Sequence, residues 1–247
     1  MRLRAGLLVA WATAVLDGRS SPDQAAAVVG GDRPGPRVAG LPGEAEPVSL
    51  PYALASLRRL GVRGLRLVLP VPGDVAGLPG PPELNAAAVQ AGAAVLAERT
   101  GGPALLFLLD RLDWTVHPAG TAGTGVLPGL AEAERELAEA MREVTEAMNR
   151  LDVARMPAQP ASARHALHCP PQLRLPPGHP ARAVRVALAA VRLLTVVDVA
   201  RLDEGASVSS AQMRLRAQLL GQVERVARRA LCAAASEAGR DAARSCG

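Results

Sequence analysis

The sequence contains no lysine and no isoleucine, and it is poor in aromatic residues. Trp11, Tyr52, Phe107 and Trp114 form the complete aromatic set, 2% of the 247 residues. A GC-rich coding sequence explains this bias more simply than selection at any one position. Because hydrophobic residues still make up 49% of the chain, the core must be built from alanine, leucine and valine. Small side chains of this kind favour closely packed helices.

Cysteines are also few, and they are widely spaced. Cys169, Cys232 and Cys246 are odd in number and include no CxxC pair, which argues against a disulfide framework and favours a reducing compartment. No apolar run reaches the length of about 18 residues that a membrane helix requires, so we expect no membrane association.

The N-terminus superficially resembles a signal peptide, since an apolar run follows Met-Arg-Leu-Arg and ends at Ala12-Thr13-Ala14. However, Leu3, Leu7, Trp11 and Val15 recur every four residues, as expected for one face of a helix. We therefore interpret residues 2 to 17 as a helix of the folded protein and expect a cytoplasmic location.

Positive charge is concentrated in the C-terminal third. Without lysine, the sequence pI of 10.3 reflects arginine, whereas the net charge is only +5. Residues 157 to 231 contain 11 arginines and 4 acidic residues. Any nucleic acid or acidic protein would therefore bind in this region.

The first half of the chain is predicted to be an α/β mixture with a small sheet. Residues 30 to 48 are rich in glycine and proline and indicate a loop or short irregular strands. Periodicity and turn residues predict helices over 2–17, 22–29, 51–60 and 83–98, and strands over 65–69, 104–109 and 114–117.

The segment from Pro70 to Pro82 invites comparison with a phosphate-binding loop, because it lies between a predicted strand and a predicted helix. Its prolines have no N–H to donate, and its glycine spacing matches no phosphate-binding motif. We therefore expect a rigid surface loop. If the loop is instead a ligand site, its polar groups are Asp74 and Asn85, with Glu83 as a second charge.

Asp110, Asp113 and His117 resemble a catalytic cluster on paper. In an extended chain, residues 113 and 117 lie about 13 Å apart, too far to share a metal or to exchange a proton directly. Asp113 and His117 remain candidate ligand-binding residues if the segment is a turn.

The second half is predicted to be an antiparallel three-helix bundle. Leu130, Leu137, Val144 and Leu151 repeat every seven residues with alanines three positions later, which predicts one helix over 129–155 with a charged outer face. Further helices are predicted over 180–203 and from Ser209 to about Glu237. The fold class is therefore α+β, mainly α, with an α/β portion at 1–127 and a bundle at 128–247, interrupted by a proline-rich connection at 157–180.

Two further sets of residues are candidate binding groups. The last helix has an outer stripe that could contact an acidic partner or phosphates, formed by Arg214, Gln218, Arg225, Arg228 and Arg229. Because no aromatic residues interleave with it, we favour a protein partner over nucleic acid. In the proline-rich connection, His165, His168, Cys169 and His179 have the side chains that zinc prefers, although their spacing matches no established zinc motif.

Three proline- and glycine-rich blocks carry a family resemblance, namely residues 69–74, residues 77–82 and residues 175–178. With these blocks the chain resembles conserved hypothetical proteins of GC-rich bacteria over most of its length. The resemblance implies no activity, cofactor or catalytic residue.

A non-catalytic interaction or regulatory protein is the preferred hypothesis, because no nucleophile and base, established metal spacing or phosphate motif emerges. The alternatives are an enzyme or small-ligand binder with a pocket where the 70–82 loop meets the bundle, and nucleic-acid binding through the last helix. The sequence leaves the cofactor and the oligomeric state unknown.

Overall fold

The computed structural model describes residues 1–31, 35–111, 113–120, 128–150, 173–202 and 210–245. Within these ranges the fold is α+β and mainly α, as predicted. The helices are α1 (Arg2–Leu16), α2 (Pro22–Gly30), α3 (Leu50–Ser56), α4 (Pro82–Ala91), α5 (Leu130–Arg150), α6 (Ala181–Leu202) and α7 (Ser210–Ser245). The strands are β1 (Arg37–Ala39), β2 (Val48–Ser49), β3 (Val62–Val68), β4 (Ala94–Arg99), β5 (Ala104–Asp110) and β6 (Asp113–Ala119).

The chain divides into two compact units. Unit 1 comprises residues 1–127, 173–184 and 232–247, and unit 2 comprises residues 128–172 and 185–231. Residues of α7 therefore belong to both units.

Unit 1 contains one six-stranded sheet with the order β2-β1-β6-β5-β4-β3. The pairs from β3 to β6 are antiparallel, whereas β1 runs parallel to β6. One face of the sheet packs against α4 and the loop before it, and this cluster includes Leu78, Leu84, Ala88, Leu96 and Leu106. Helix α1 contacts β3 and β4.

Local signals explain where the first helices begin and end. Ser21 accepts a hydrogen bond from the Gln24 amide at 3.1 Å, and Pro22 occupies the first helical position of α2, which confirms the predicted start of that helix. The cap of α3 is similar, with the Ser49 Oγ 3.5 Å from the Tyr52 amide.

Two helix predictions were too long at the C-terminal end, and the first is that for residues 51–60, since α3 ends at Ser56. Residues 83–98 were expected to form a single helix, but α4 ends at Ala91 and residues 94–99 form β4. Gly92 ends the helix in the left-handed conformation, with a φ of +68°. The side chains of β4 are compatible with a helix. The strand is therefore specified by its position between β3 and β5, where four of its six residues are buried.

In unit 2, α7 contacts both of the other helices. The Gln222 Nε2 donates to the Glu143 Oε2 of α5 at 2.9 Å, and an Arg216 Nη2 donates to the Ala200 carbonyl of α6 at 2.8 Å. None of the helices in the described parts of the chain is long and apolar enough to cross a membrane.

Candidate functional site

Strand β6 presents a row of polar side chains. Trp114 and Val116 are buried, and the residues that alternate with them are Asp113, Thr115 and His117. The His117 Nε2 lies 3.2 Å from the Thr115 Oγ1, and the Asp113 Oδ1 accepts a hydrogen bond from the Arg37 amide at 2.9 Å. Because β6 is extended, Asp113 and His117 lie about 13 Å apart along it. They do not form a catalytic pair.

The 70–82 loop is held by its own backbone. Val71 and Asp74 exchange two backbone hydrogen bonds of 2.9 and 3.0 Å, which close a tight turn. Leu78 is buried in the core, and the Asn85 Oδ1 accepts a hydrogen bond from the Gly80 amide at 3.0 Å. The predicted ligand group Asn85 therefore fixes the end of the loop.

The structure brings Asn85 and His117 to the same end of β6. The Gly80 amide is bonded to Asn85, and the carbonyl of the same residue lies 3.5 Å from the Gly120 amide. Gly120 is three residues after His117. A Cβ added at Gly120 would lie 2.8 Å from the Pro79 carbonyl oxygen, so the loop and the end of β6 are in close contact. Asp113 lies at the opposite end of the strand.

Of the predicted zinc ligands, His165, His168 and Cys169 lie outside the described residues. His179 is 8% exposed, and its Nε2 lies 3.1 Å from the Ala234 carbonyl of α7. The carbonyl can only accept, so the Nε2 carries a proton. Burial lowers the pKa of His179, the bond to Ala234 opposes this, and the positive charge of Arg19 lowers the pKa further. Within the described ranges, no group of three His, Cys, Asp or Glu side chains is placed to hold a metal.

The predicted arginine stripe of α7 is only partly exposed. Arg214 and Arg225 are exposed and Arg229 is half-buried, but Arg228 is 5% exposed and does not belong to the outer face. The buried face of α7 is formed by Val223, Ala227 and Leu231, whereas Val226 is half-buried. Because neighbouring residues of a helix are rotated by about 100°, a buried face centred on Ala227 carries Arg228 inward.

A buried carboxylate was missed by the sequence reasoning. Glu224 is 6% exposed, and its Oε2 lies 2.6 Å from a guanidinium nitrogen of Arg201 on α6. One signal in the sequence could have indicated that Glu224 has a charged neighbour: Glu224 and Arg228 are four residues apart and therefore lie on the same helix face. This ion pair links α6 to α7.

Helix α5 has one buried stripe and one charged face. Leu130, Ala133, Leu137 and Ala140 are buried, as the seven-residue repeat predicted. The exposed charged residues are Glu132, Arg135, Glu139, Arg142, Glu143 and Glu146. With four acidic and two basic residues, this face is acidic, whereas the exposed arginines of α7 are basic.

Comparison with known families gives two matches that together cover most of the chain. The model described as "Rv1486c-like protein, N-terminal domain" matches residues 5–126, and "Rv1486c-like protein, C-terminal domain" matches residues 131–232. A search of curated proteins finds no match, and a search of solved structures finds none. The two matches confirm the resemblance to a family without an assigned activity, and the chain belongs to the Rv1486c-like protein family.

Proposed function

We propose that this protein is a non-catalytic interaction factor that binds another protein through the helices of unit 2. The observation that carries the proposal is how the polar side chains are used in each unit. In unit 1, Asp113 and Asn85 accept hydrogen bonds from the chain's own amides. In unit 2, charged residues such as Glu139, Arg142 and Arg225 extend into solvent. Fixed polar groups stabilise a fold, whereas exposed charges are available to a partner.

Exposed hydrophobic side chains on the same helices also support the proposal. Met141 of α5 is 47% exposed, Val196 of α6 is 45% exposed and Met213 of α7 is 50% exposed. Apolar side chains with charged neighbours are typical of protein interfaces, and methionine adapts its shape to a partner.

The same proposal includes an antiparallel three-helix bundle for α5, α6 and α7. Two contacts support it, namely Gln222 with Glu143 and Arg201 with Glu224. A short bismaleimide should cross-link Glu143→Cys to Gln222→Cys in a background without the native cysteines. Cysteines at Glu132 and Gln222 serve as the control pair, because Glu132 lies about 16 Å from Glu143 along α5, too far for the reagent to reach Gln222. Equal cross-linking of both pairs would argue against the bundle.

The interaction proposal is tested by isolating the protein with its partners from cells. We expect Met213→Glu to remove any partner that wild-type protein retains, because it places a charge within the apolar contact. Val75→Glu is the matched control, since Val75 is 48% exposed but lies in unit 1. A set of retained proteins that neither substitution changes would contradict the proposal.

A cytoplasmic location is part of this proposal. Its support is the small odd number of cysteines, together with the burial of Cys232, which forms no disulfide. Export of a tagged full-length chain would contradict it.

A small-ligand site is the second candidate. It is favoured by the half-buried Thr115 and His117, which are hydrogen-bonded beside the fixed end of the 70–82 loop. A thermal-shift screen of metabolites should then give a ligand that stabilises wild-type protein but not His117→Leu.

Nucleic-acid binding is less favoured, because Arg228 is buried. This hypothesis would be supported if wild-type protein bound nucleic acid, and if Arg225→Gln lost that binding but recovered it at low salt.

A further inference from the structure

The two edges of the sheet are protected in different ways. At one edge, β2 is only two residues long and lies between Pro47 and Pro51, which leaves little backbone for another strand. At the other edge, β3 has seven residues and no proline. An exposed strand of this length is a template for pairing with another chain.

The last helix contacts this second edge at Leu67. The Leu67 amide of β3 donates a hydrogen bond to the Ser236 Oγ of α7 at 3.1 Å, in a buried setting. Since Leu67 lies opposite Val95 of β4, an amide that bonds to α7 points away from the sheet. A Cβ added at Gly6 of α1 would lie 3.6 Å from the Leu67 Cδ2 and 4.0 Å from the Ala235 Cβ, so α1, β3 and α7 meet here.

The residues of α7 around this contact are all small. Cys232, Ala233, Ala234, Ala235 and Ser236, which we term the edge cover, are each at most 3% exposed. A methyl group contributes about 0.8 kcal/mol when buried, much less than a leucine side chain. The edge cover therefore buries little apolar area for its length, and it is suited to displacement.

We propose that the edge cover is displaceable, and that β3 of a second copy of the chain takes its place to form an antiparallel β3–β3 dimer. A pairing centred on Leu65 places Arg63 opposite Leu67 of the second copy, and Gly64 opposite Arg66. No like charges face each other, and the remaining residues are valine and leucine, which favour strands. This surface consists of unit 1 residues, whereas the proposed function uses residues of unit 2, so failure of either proposal leaves the other intact.

The first test is sedimentation velocity of full-length Ser236→Pro over a range of concentrations. Proline cannot donate to the helix and clashes with the preceding turn, so it should break α7 at the edge cover. We expect a concentration-dependent dimer. Gln218→Pro is the matched control, because it breaks the same helix at an exposed position in unit 2. A folded Ser236→Pro protein that stays monomeric, or equal dimerisation of both variants, would overturn the proposal.

Amide exchange at Leu67 provides the second test, and it does not depend on the proline variant folding. Ser236→Ala keeps α7 helical but removes the acceptor, so the Leu67 amide should exchange at least tenfold faster in dilute protein and recover protection as the concentration rises. Exchange that is fast at every concentration would contradict the dimer.

A peptide with the sequence of residues 62–68 serves as a competitor. It should bind Ser236→Pro and dissolve its dimer, whereas the same peptide N-methylated at the position of Leu67 should not. If the peptide binds a variant that never dimerises, the occupant is a different strand, and the assignment to a second copy is wrong.

Discussion

Gly40 of unit 1 occupies a position where the backbone conformation and the close approach of another strand both require glycine. It follows β1 with a φ of +76°, and a Cβ added there would lie 2.5 Å from the Val116 carbonyl oxygen. Real atoms do not approach so closely, so any side chain at this position forces β1 away from β6. The sequence showed a glycine in a turn-rich segment but not this approach, because it depends on a pairing between distant strands.

We expect Gly40→Ala to lower the free energy of unfolding by about 3 kcal/mol, from the left-handed conformation and the steric clash together. Gly92→Ala is the control, because Gly92 has a φ of +68° but nothing within 4 Å of an added Cβ. It should cost about 1 kcal/mol. Urea titration followed by tryptophan fluorescence measures both, and equal losses would contradict the steric argument.

His179 makes the stability of unit 1 dependent on pH. Its pKa in the folded protein is lowered, mainly by burial, so the unfolded chain binds a proton more readily. The stabilising contribution is complete above the unfolded value of about 6.5, and it is lost as the pH falls from there through the folded pKa. We expect a lower urea midpoint at pH 5 than at pH 7.

The matched variant is His179→Gln, which keeps a donor for the Ala234 carbonyl but does not titrate. Its stability should change less between pH 7 and pH 5 than that of the wild type. The same loss in both proteins would mean that other groups dominate the acid response.

At the scale of elements, the sequence was informative wherever local signals act. Ser21, Pro22 and Gly18 mark helix boundaries through capping and backbone preferences, and α1 and α2 lie within one residue of their predicted bounds. Strand β4 was missed because its side chains are compatible with a helix or a strand, and only its pairing with β3 and β5 specifies the strand. The burial of Arg228 was missed for a similar reason, since the rotation of α7 is set by packing against α5 and α6.

The cap of α2 gives a prediction at this scale. Ser21→Ala removes the acceptor for the Gln24 amide and should lower the free energy of unfolding by about 1 kcal/mol. Ser20→Ala serves as the control, because its hydroxyl bonds to the Ser21 carbonyl and the Gln24 side chain and not to a free helix amide. Thermal melts compare the two, and an equal shift would remove the cap as the cause.

At the scale of the whole molecule, unit 1 draws on three separate stretches of the chain. The candidate ligand residues show the same dependence on tertiary structure. Asn85 and His117 are 32 positions apart in the sequence (117 − 85). The sequence predicted the 70–82 loop as rigid, but not that the end of this loop lies beside the end of β6. Periodicity and turn residues predicted the fold class, but not that the last helix contributes to the first unit.

Truncation tests this dependence. A chain ending at Leu231 loses the edge cover, and unit 1 should lose about 2 to 4 kcal/mol of stability through the exposed alanines and the Leu67 amide. Both tryptophans lie in unit 1, so their fluorescence reports its unfolding specifically. A chain ending at Glu237 retains the edge cover and should melt close to the full-length protein. If the two truncations melt alike, the edge cover does not stabilise unit 1.

The order of synthesis gives the contribution of α7 to unit 1 a further meaning. The edge cover begins 164 residues after the end of β3 (232 − 68), so it is synthesised long after the strand. Until these residues have been made, the nascent chain presents the β3 edge without the hydrogen bond from the Leu67 amide to Ser236. This interval of translation is therefore when a chaperone or a neighbouring nascent chain would have its best access to this protein.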